Sequence, residues 1–469
     1  MISARNGNAS DDANVPENTN KLYLAAWRWH FYAGIFVIPF FAILAITGMS
    51  MTWIAHVDGR DGEHIAVMPQ ETALPVSEQA AAAVAAVPSG TLKQYVAPRA
   101  RDLAAIFRVD TTEAVTMVAV DPYSGTVLNE YPRRSGWYDF LDNVHGDLLL
   151  GVTGDRMLEI AASLGMVLIA TGLYMWWPRG GGFRSVLLPR LAGGGRNMWK
   201  SLHGVLGFWL SIFLVFFLIT GLSWAGIWGE KIMQAWNQFP AEKWDNVPLS
   251  NDTHASMNHG PKEVPWALEQ TPMPASGSDA GTKAMEAGAR ISIDSVDALA
   301  RKVGFEGRYQ LNLPSGETGV WTMSRDSMST DSTNPLSDRT VHVDRYTGNI
   351  LADVRFADYS LAGKAMAVGT ALHMGTLGLW SVLANSLICL SVLFLCVSSL
   401  VMWWKRRPSG SLRLAAPPLP RDMPLWQGAA LVGLAVSLAF PMAGITLLVV
   451  MTLDHLIISR IPALKRALS

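Results

Sequence analysis

Apolar residues in this chain come in long unbroken runs, set apart by two stretches in which apolar and polar positions alternate. Runs near 31–53, 156–177, 204–228 and 380–404 each hold the roughly 20 residues that a helix needs to cross a bilayer. A last apolar region, 425–458, is too long for one span. Phe440-Pro441 interrupts it, and proline cannot continue a helical hydrogen-bond ladder, so the pattern favours a hairpin of two short helices, with a single kinked span as the rival. The alternating stretches are 54–138 and 229–358. Each opens on a helical pattern, near 76–86 and 293–303. The runs IFRVD and TMVAV follow in the first, VWTMS and VHVDR in the second, and these predict antiparallel strands. DPYSGTVL at 121–128 and DRYTGNIL at 344–351 place Asp, Tyr, Ser or Thr, and Gly at matching offsets. That predicts a tight hairpin turn with glycine at positive φ.

The chain also resembles itself. WHFYAGIFVIPFFAILAITG, from Trp29, aligns without a gap on LHGVLGFWLSIFLVFFLITG, from Leu202. His30 then matches His203, Gly34 matches Gly207, and Thr47-Gly48 matches Thr220-Gly221. A further histidine follows each alternating stretch: His145 in LDNVHGDLLLGVTG and His373 in GTALHMGTLGLW. Each precedes a span that ends in MWW. The expected fold is a multi-span α-helical membrane protein of two duplicated two-span halves, with two small α+β periplasmic domains and a C-terminal helical hairpin. The expected segments are a disordered cytoplasmic tail (1–25), a first span (26–53), an outer domain (54–138), and a His-bearing short helix with the second span (139–177). A cytoplasmic loop (178–200), a third span (201–228), a second outer domain (229–358) and a second short helix with the fourth span (359–404) follow. A loop (405–424), the hairpin (425–458) and a cytoplasmic tail (459–469) complete the chain.

Charge sets the orientation. The loop 178–200 carries Arg179, Arg184, Arg190, Arg196 and Lys200, and the next loop on that side carries Lys405, Arg406, Arg407, Arg413 and Arg421. Cations mark cytoplasmic loops, so the N-terminus is placed in the cytoplasm and both alternating stretches outside, in the periplasm of a bacterial inner membrane. Composition agrees with a membrane protein: 50% of residues are apolar and 16% charged. A net charge of −1 gives no indication of nucleic acid binding. Cys389 and Cys396 lie in one apolar run, seven residues apart, and read as small packing residues.

The orientation puts His30 and His203 at the cytoplasmic level and His145 and His373 at the outer level. Two imidazoles facing each other across a helix bundle suit a six-coordinate haem iron. Without a CxxCH motif, such a haem is held by ligation and packing. Gly34 and Gly207, four residues after their histidines, would let a flat macrocycle approach the helix. Arg28 and Lys200 are candidates for its propionates, although cytoplasmic cations alone explain them. Two other readings remain open here: interfacial histidines with packing glycines, and divalent metal ligation. His254 and His259, with Met257 between them, and likewise His56 and His64, could bind a metal or metal complex but read first as polar loop residues, and Glu159 as a functional intramembrane carboxylate or a partner of Arg156.

The HxxxG…TG spans, the D-x-Y-[ST]-G-x-[VI]-L units and the MWW span ends resemble the PepSY-associated transmembrane proteins, also called iron-regulated membrane proteins. The resemblance extends from about residue 25 over nearly the whole chain. The family includes a ferrioxamine reductase of the inner membrane, which binds two b-type haems and reduces ferric siderophores on the periplasmic side. The resemblance implies bis-His ligation of two haems by His30, His203, His145 and His373. It also implies reduction of a ferric siderophore or other ferric chelate for iron uptake, with a cytosolic reductase or membrane quinol as electron donor. The rival expectations are a PepSY-type binding or regulatory module without redox activity, an iron or chelate permease, and a haem protein whose acceptor is copper or a periplasmic redox protein.

Overall fold

The computed structural model describes residues 21–178, 184–191, 194–233, 237–258, 264–286, 288–407, 414, 416, 427–457 and 460–461. In chain order the elements begin with α1 (Lys21–Val57), α2 (Val76–Ala86), β1 (Thr91–Val96), β2 (Ala105–Asp110), β3 (Val115–Val120) and β4 (Val127–Pro132). Helices α3 (Trp137–Asp147), α4 (Val152–Trp176), α5 (Arg184–Leu187) and α6 (Gly195–Leu222) follow, then β5 (Leu249–Thr253), β6 (Pro272–Pro274) and α7 (Ile293–Lys302). The remainder is β7 (Gln310–Asn312), β8 (Trp321–Arg325), β9 (Arg339–Val343), β10 (Ile350–Arg355), α8 (Leu361–Met374), α9 (Leu379–Arg406), α10 (Gln427–Ala439) and α11 (Pro441–Leu456). Among the described residues, α1, α4, α6 and α9 are long and apolar enough to cross a membrane.

Several boundaries differ from the sequence expectation, among them the start of α1 and both ends of α6, which begins at Gly195. Helix α1 begins at Lys21, so residues 21–25 are helical rather than part of a disordered tail. Helix α6 stops at Leu222, short of Trp228. The amides beyond it are taken by α4: Asp155 accepts from Gly226 N–H (3.2 Å), and Glu159 accepts from Ile227 (3.2 Å) and Trp228 (2.9 Å). Once two carboxylates hold these donors, the i→i−4 ladder has no claim on them.

The chain divides into two compact units. The described parts of the first come from Met1–Ile38, Ser163–Ile212 and Leu395–Ser469. Trp176 stacks on Phe208 with ring centroids 3.8 Å apart, which joins α4 to α6. Helices α10 and α11 in this unit break at Phe440-Pro441, where the apolar run was expected to turn.

The second unit, Pro39–Ala162 with Phe213–Phe394, holds the strands. Eight of them form one antiparallel sheet in the order β10-β9-β8-β7-β1-β2-β3-β4. Where the sequence pattern suggested two small α+β domains, strands from both alternating stretches join through the β1–β7 pair, Tyr95 opposite Leu311. One core underlies both helices: Ala80 and Ala83 of α2 and Val296 and Leu299 of α7 share it with Phe107, Tyr309 and Val341. The two matched turns have the expected form. Asp121 and Asp344 each accept the amide of the tyrosine two residues on, at 2.9 and 2.7 Å, and Gly125 and Gly348 have φ of +72° and +69°. A buried ion-pair network lies beside the junction: Arg308 meets Glu63 at 2.5 Å and Asp331 at 2.9 Å.

Candidate functional site

The four histidines come together as two pairs, one in each unit. His30 on α1 faces His203 on α6, with ring centroids 6.4 Å apart and planes at 87°. His145 on α3 faces His373 on α8, at 6.5 Å and 85°. These are the pairings, one histidine from each repeat, that the duplicated sequence pattern led one to expect.

Each ring is held the same way. Thr171 on α4 donates its hydroxyl proton to Val167 O (2.7 Å), so its oxygen can only accept from His30 Nδ1 (3.0 Å). Thr47 donates to Ile43 O (2.8 Å) and accepts from His145 Nδ1 (2.9 Å). Thr220 donates to Phe216 O (2.8 Å) and accepts from His373 Nδ1 (2.8 Å). Ser398 donates to Leu395 O (3.0 Å) and accepts from His203 Nδ1 (2.8 Å). A hydroxyl whose proton is already committed selects the Nδ1–H tautomer. All four Nε2 lone pairs are thereby left for a ligand.

The residue after each threonine is glycine, and the fold explains it. A Cβ on Gly48 would come 3.2 Å from His145 Cε1, one on Gly172 3.2 Å from His30 Cε1, and one on Gly221 3.5 Å from His373 Cε1. The Thr-Gly step therefore supplies an acceptor and a shallow seat for an imidazole on a neighbouring helix. Ser398-Ser399 takes this place opposite His203. Sequence reading aligned two of these steps but assigned them no role, and it passed over Thr171-Gly172 and Ser398-Ser399. The available signal was the shared distance of both steps to the MWW ends, TGLYMWW and SSLVMWW. Asn385, also unassigned, donates to Leu372 O (2.9 Å) and His373 O (3.0 Å) and so closes α8 just behind its histidine.

A third histidine pair gives the scale. His254 and His342 are fully buried, hydrogen-bonded Nε2 to Nε2 at 2.9 Å, with centroids 4.9 Å apart. This corrects the expectation of a solvated loop at His254. His254 Nδ1 donates to Thr271 O (2.7 Å), and Thr322 meets His342 Nδ1 at 2.9 Å, so every ring nitrogen is engaged. Burial pushes His254 down to about 4 and His342 well below its ordinary value, the latter helped by the neighbouring ring, which keeps this pair neutral. The 6.4 and 6.5 Å pairs are too far apart for such a hydrogen bond. Their spacing matches a single metal ion between two imidazoles, where a metal–nitrogen bond of about 2 Å on each side brings the ring centres to roughly 6 Å. Among the described residues no group of three or more His, Cys, Asp or Glu side chains is placed to hold a metal ion. An ion between these pairs would draw its remaining donors from beyond these described side chains.

The other candidates are placed as follows. Nothing lies within 4 Å of a Cβ built on Gly207, and only Leu168, at 3.9 Å, near one on Gly34. The Arg28 guanidinium sits over the Tyr32 ring at 5.0 Å, and Lys200 is exposed. Glu159 is buried and spent on backbone amides, with Arg156 3.4 Å away. His64 bonds Val57 O (3.1 Å), His56 lies beside Trp53, and His259 falls outside the described residues. Cys389 and Cys396 are free thiols, and Cys396 is buried.

The chain matches the family model for the PepSY-associated TM region over residues 27–406. It belongs to that family and is a multi-pass membrane protein. No curated protein sequence matches the chain.

Proposed function

We propose that this protein is an inner-membrane dihaem electron carrier that reduces ferric siderophores or other ferric chelates at the periplasmic face during iron acquisition. The observation that carries the reading is the pair of facing imidazole sets. Each has Nε2 left free by a Ser or Thr hydroxyl, and each has a centroid spacing suited to one iron. The donor set fits haem: two neutral imidazoles, with no third protein donor among the described residues, suit an iron whose other donors come from a macrocycle. His30 with His203 and His145 with His373 would hold the two haem irons. Haem bound there supplies a one-electron Fe(III)/Fe(II) couple. The chain's own part is to hold the rings, fix their tautomer and exclude other donors. The four helices and the duplicated His-span pattern favour two such levels, and the cationic loops favour the cytoplasm as the electron-donor side. Reduction weakens a hard oxygen chelate, because Fe(II) carries less charge and is softer than Fe(III).

Purified protein reduced with dithionite is expected to give a sharp b-type α-band and about two haems per chain by pyridine haemochrome. Stopped-flow mixing of the reduced protein with a ferric hydroxamate should reoxidise it as Fe(II) accumulates. A colourless protein, expressed with haem supplied, would overturn the reading in favour of a binding module or permease. Thr220→Val keeps the shape and removes the acceptor for His373. Loss of such an outer-shell hydrogen bond is expected to weaken cofactor retention at that level about 10–100-fold, measured by haem transfer to apomyoglobin.

A further inference from the structure

Arg196, near the start of α6, and Arg406, the last residue of α9, belong to the unit that holds His30 and His203. The Arg406 guanidinium lies over the rings of Phe31 (4.7 Å) and Trp27 (5.2 Å), residues that flank His30 on α1. Aromatic faces stabilise the plane of a guanidinium and do nothing for its in-plane N–H donors. Nε and Nη2 of Arg406 form one edge, the fork that grips a carboxylate with two parallel hydrogen bonds. Both are buried without a hydrogen-bond partner among the described residues, and so is Nε of Arg196. The two cations also act on each other. Burying like charges with open donors is costly, and an anion between them removes the cost. Arg196 stands seven residues before His203, hence on the same helix face about 10 Å along the axis. That is comparable to the reach from a haem iron to the carboxylates at the macrocycle edge.

We infer that Arg196 and Arg406 bind the propionate carboxylates of the haem held by His30 and His203, with the Nε/Nη2 edge of Arg406 gripping one carboxylate in bidentate fashion. The assignment rests on the dihaem reading. It moves the propionate role away from Arg28, which covers Tyr32, and from the exposed Lys200.

The test uses the full chain in detergent as wild type, Arg196→Gln, Arg406→Gln, the double variant and Arg406→Lys. Haem count, potentiometric titration of both haems, and reconstitution with haem dimethyl ester are the readouts. Removing a cation beside the propionates favours the oxidised form. One haem should therefore shift to lower midpoint potential in the glutamine variants while the other stays put, and that second haem is the internal control for folding. Arg406→Lys keeps the charge and loses the fork, so it should hold the potential better than Arg406→Gln. The dimethyl ester should bind the inner level of wild type about tenfold or more weaker than haem and show no such preference in the double variant. Unmoved potentials together with equal ester binding would overturn the assignment while leaving two haems in place. An anionic phospholipid that copurifies with wild type and is lost in the double variant, with both potentials unmoved, would overturn it in favour of a lipid phosphate. A wild type that takes up no haem would sink the dihaem reading and this assignment together.

Discussion

His203→Ala is expected to leave a protein that binds one haem per chain, and His373→Ala is expected to do the same at the other level. On the dihaem proposal each variant would remove one of the two facing imidazoles of its pair and leave one that could not hold a six-coordinate iron by itself. The levels fall in different units and share no ring-holding residue: Thr171 and Ser398 serve one, Thr47 and Thr220 the other. The losses should therefore be additive, with a double variant close to colourless. Pyridine haemochrome of the three proteins, with size-exclusion profiles to establish intact folding, checks this. The partner substitutions sharpen the test. His30→Ala should reproduce the spectrum of His203→Ala, and His145→Ala that of His373→Ala. A crossed result, in which His30→Ala and His373→Ala deplete the same haem, would break the pairing. Gly172→Leu offers a route to the same loss without touching a ligand, because its side chain would occupy the seat of the His30 ring.

The histidines were legible in the sequence because chemistry-bearing residues stand out against an apolar helix and recur at one offset. Their holders were not. Thr47, Thr171 and Thr220 are unremarkable in a membrane helix, where threonines commonly bond back to their own carbonyls, and nothing local shows that the remaining lone pair points at a ring on another helix. The same blindness applies to glycine. Gly34 and Gly207 drew attention by their distance from a histidine in sequence, whereas Gly48, Gly172 and Gly221 touch histidines distant in sequence. The strands and their turns could be read, because alternation and the Asp-x-Tyr-[Ser/Thr]-Gly signature are local. The joining of both alternating stretches into one sheet could not, because the β1–β7 edges carry no pattern that names a partner. Likewise His254, read as a loop residue beside Met257, is packed beneath Trp244 against a histidine 88 positions away.

Arg308→Ala is expected to open the sheet junction. Arg308 follows α7 and precedes β7, and its guanidinium ties Glu63, which follows α1, to Asp331 in the loop before β9. Glu63 and Asp331 are buried, the Arg308 side chain is only 12% exposed, and Arg99 approaches Glu63 only at 3.6 Å. Removing the shared cation strands two carboxylates out of water, a change that typically costs about 3–5 kcal/mol. Expressed locally, exchange of the β7 and β8 amides, followed by hydrogen–deuterium exchange on the whole protein, should accelerate by about two to four orders of magnitude. Strands on the far side of β2 should change less. The pH dependence separates this mechanism from a mere packing defect. Burial raises the Glu63 carboxyl, but Arg308 and then Arg99 more than offset it, so its folded value lies below the ordinary one. Such a group contributes stability above its unfolded value, near 4.5, and that contribution is lost as the pH falls through the folded value. In Arg308→Ala both Glu63 and Asp331 lose the cation that favours ionisation and can relieve the penalty by taking up protons. The gap between wild type and variant should therefore narrow as pH is lowered from 7 towards 4, because the folded variant takes up protons on carboxyls that Arg308 keeps more acidic in the wild type. A gap that stays constant across that range would assign the loss to packing of the arginine stem and remove charge pairing as the reason the junction holds.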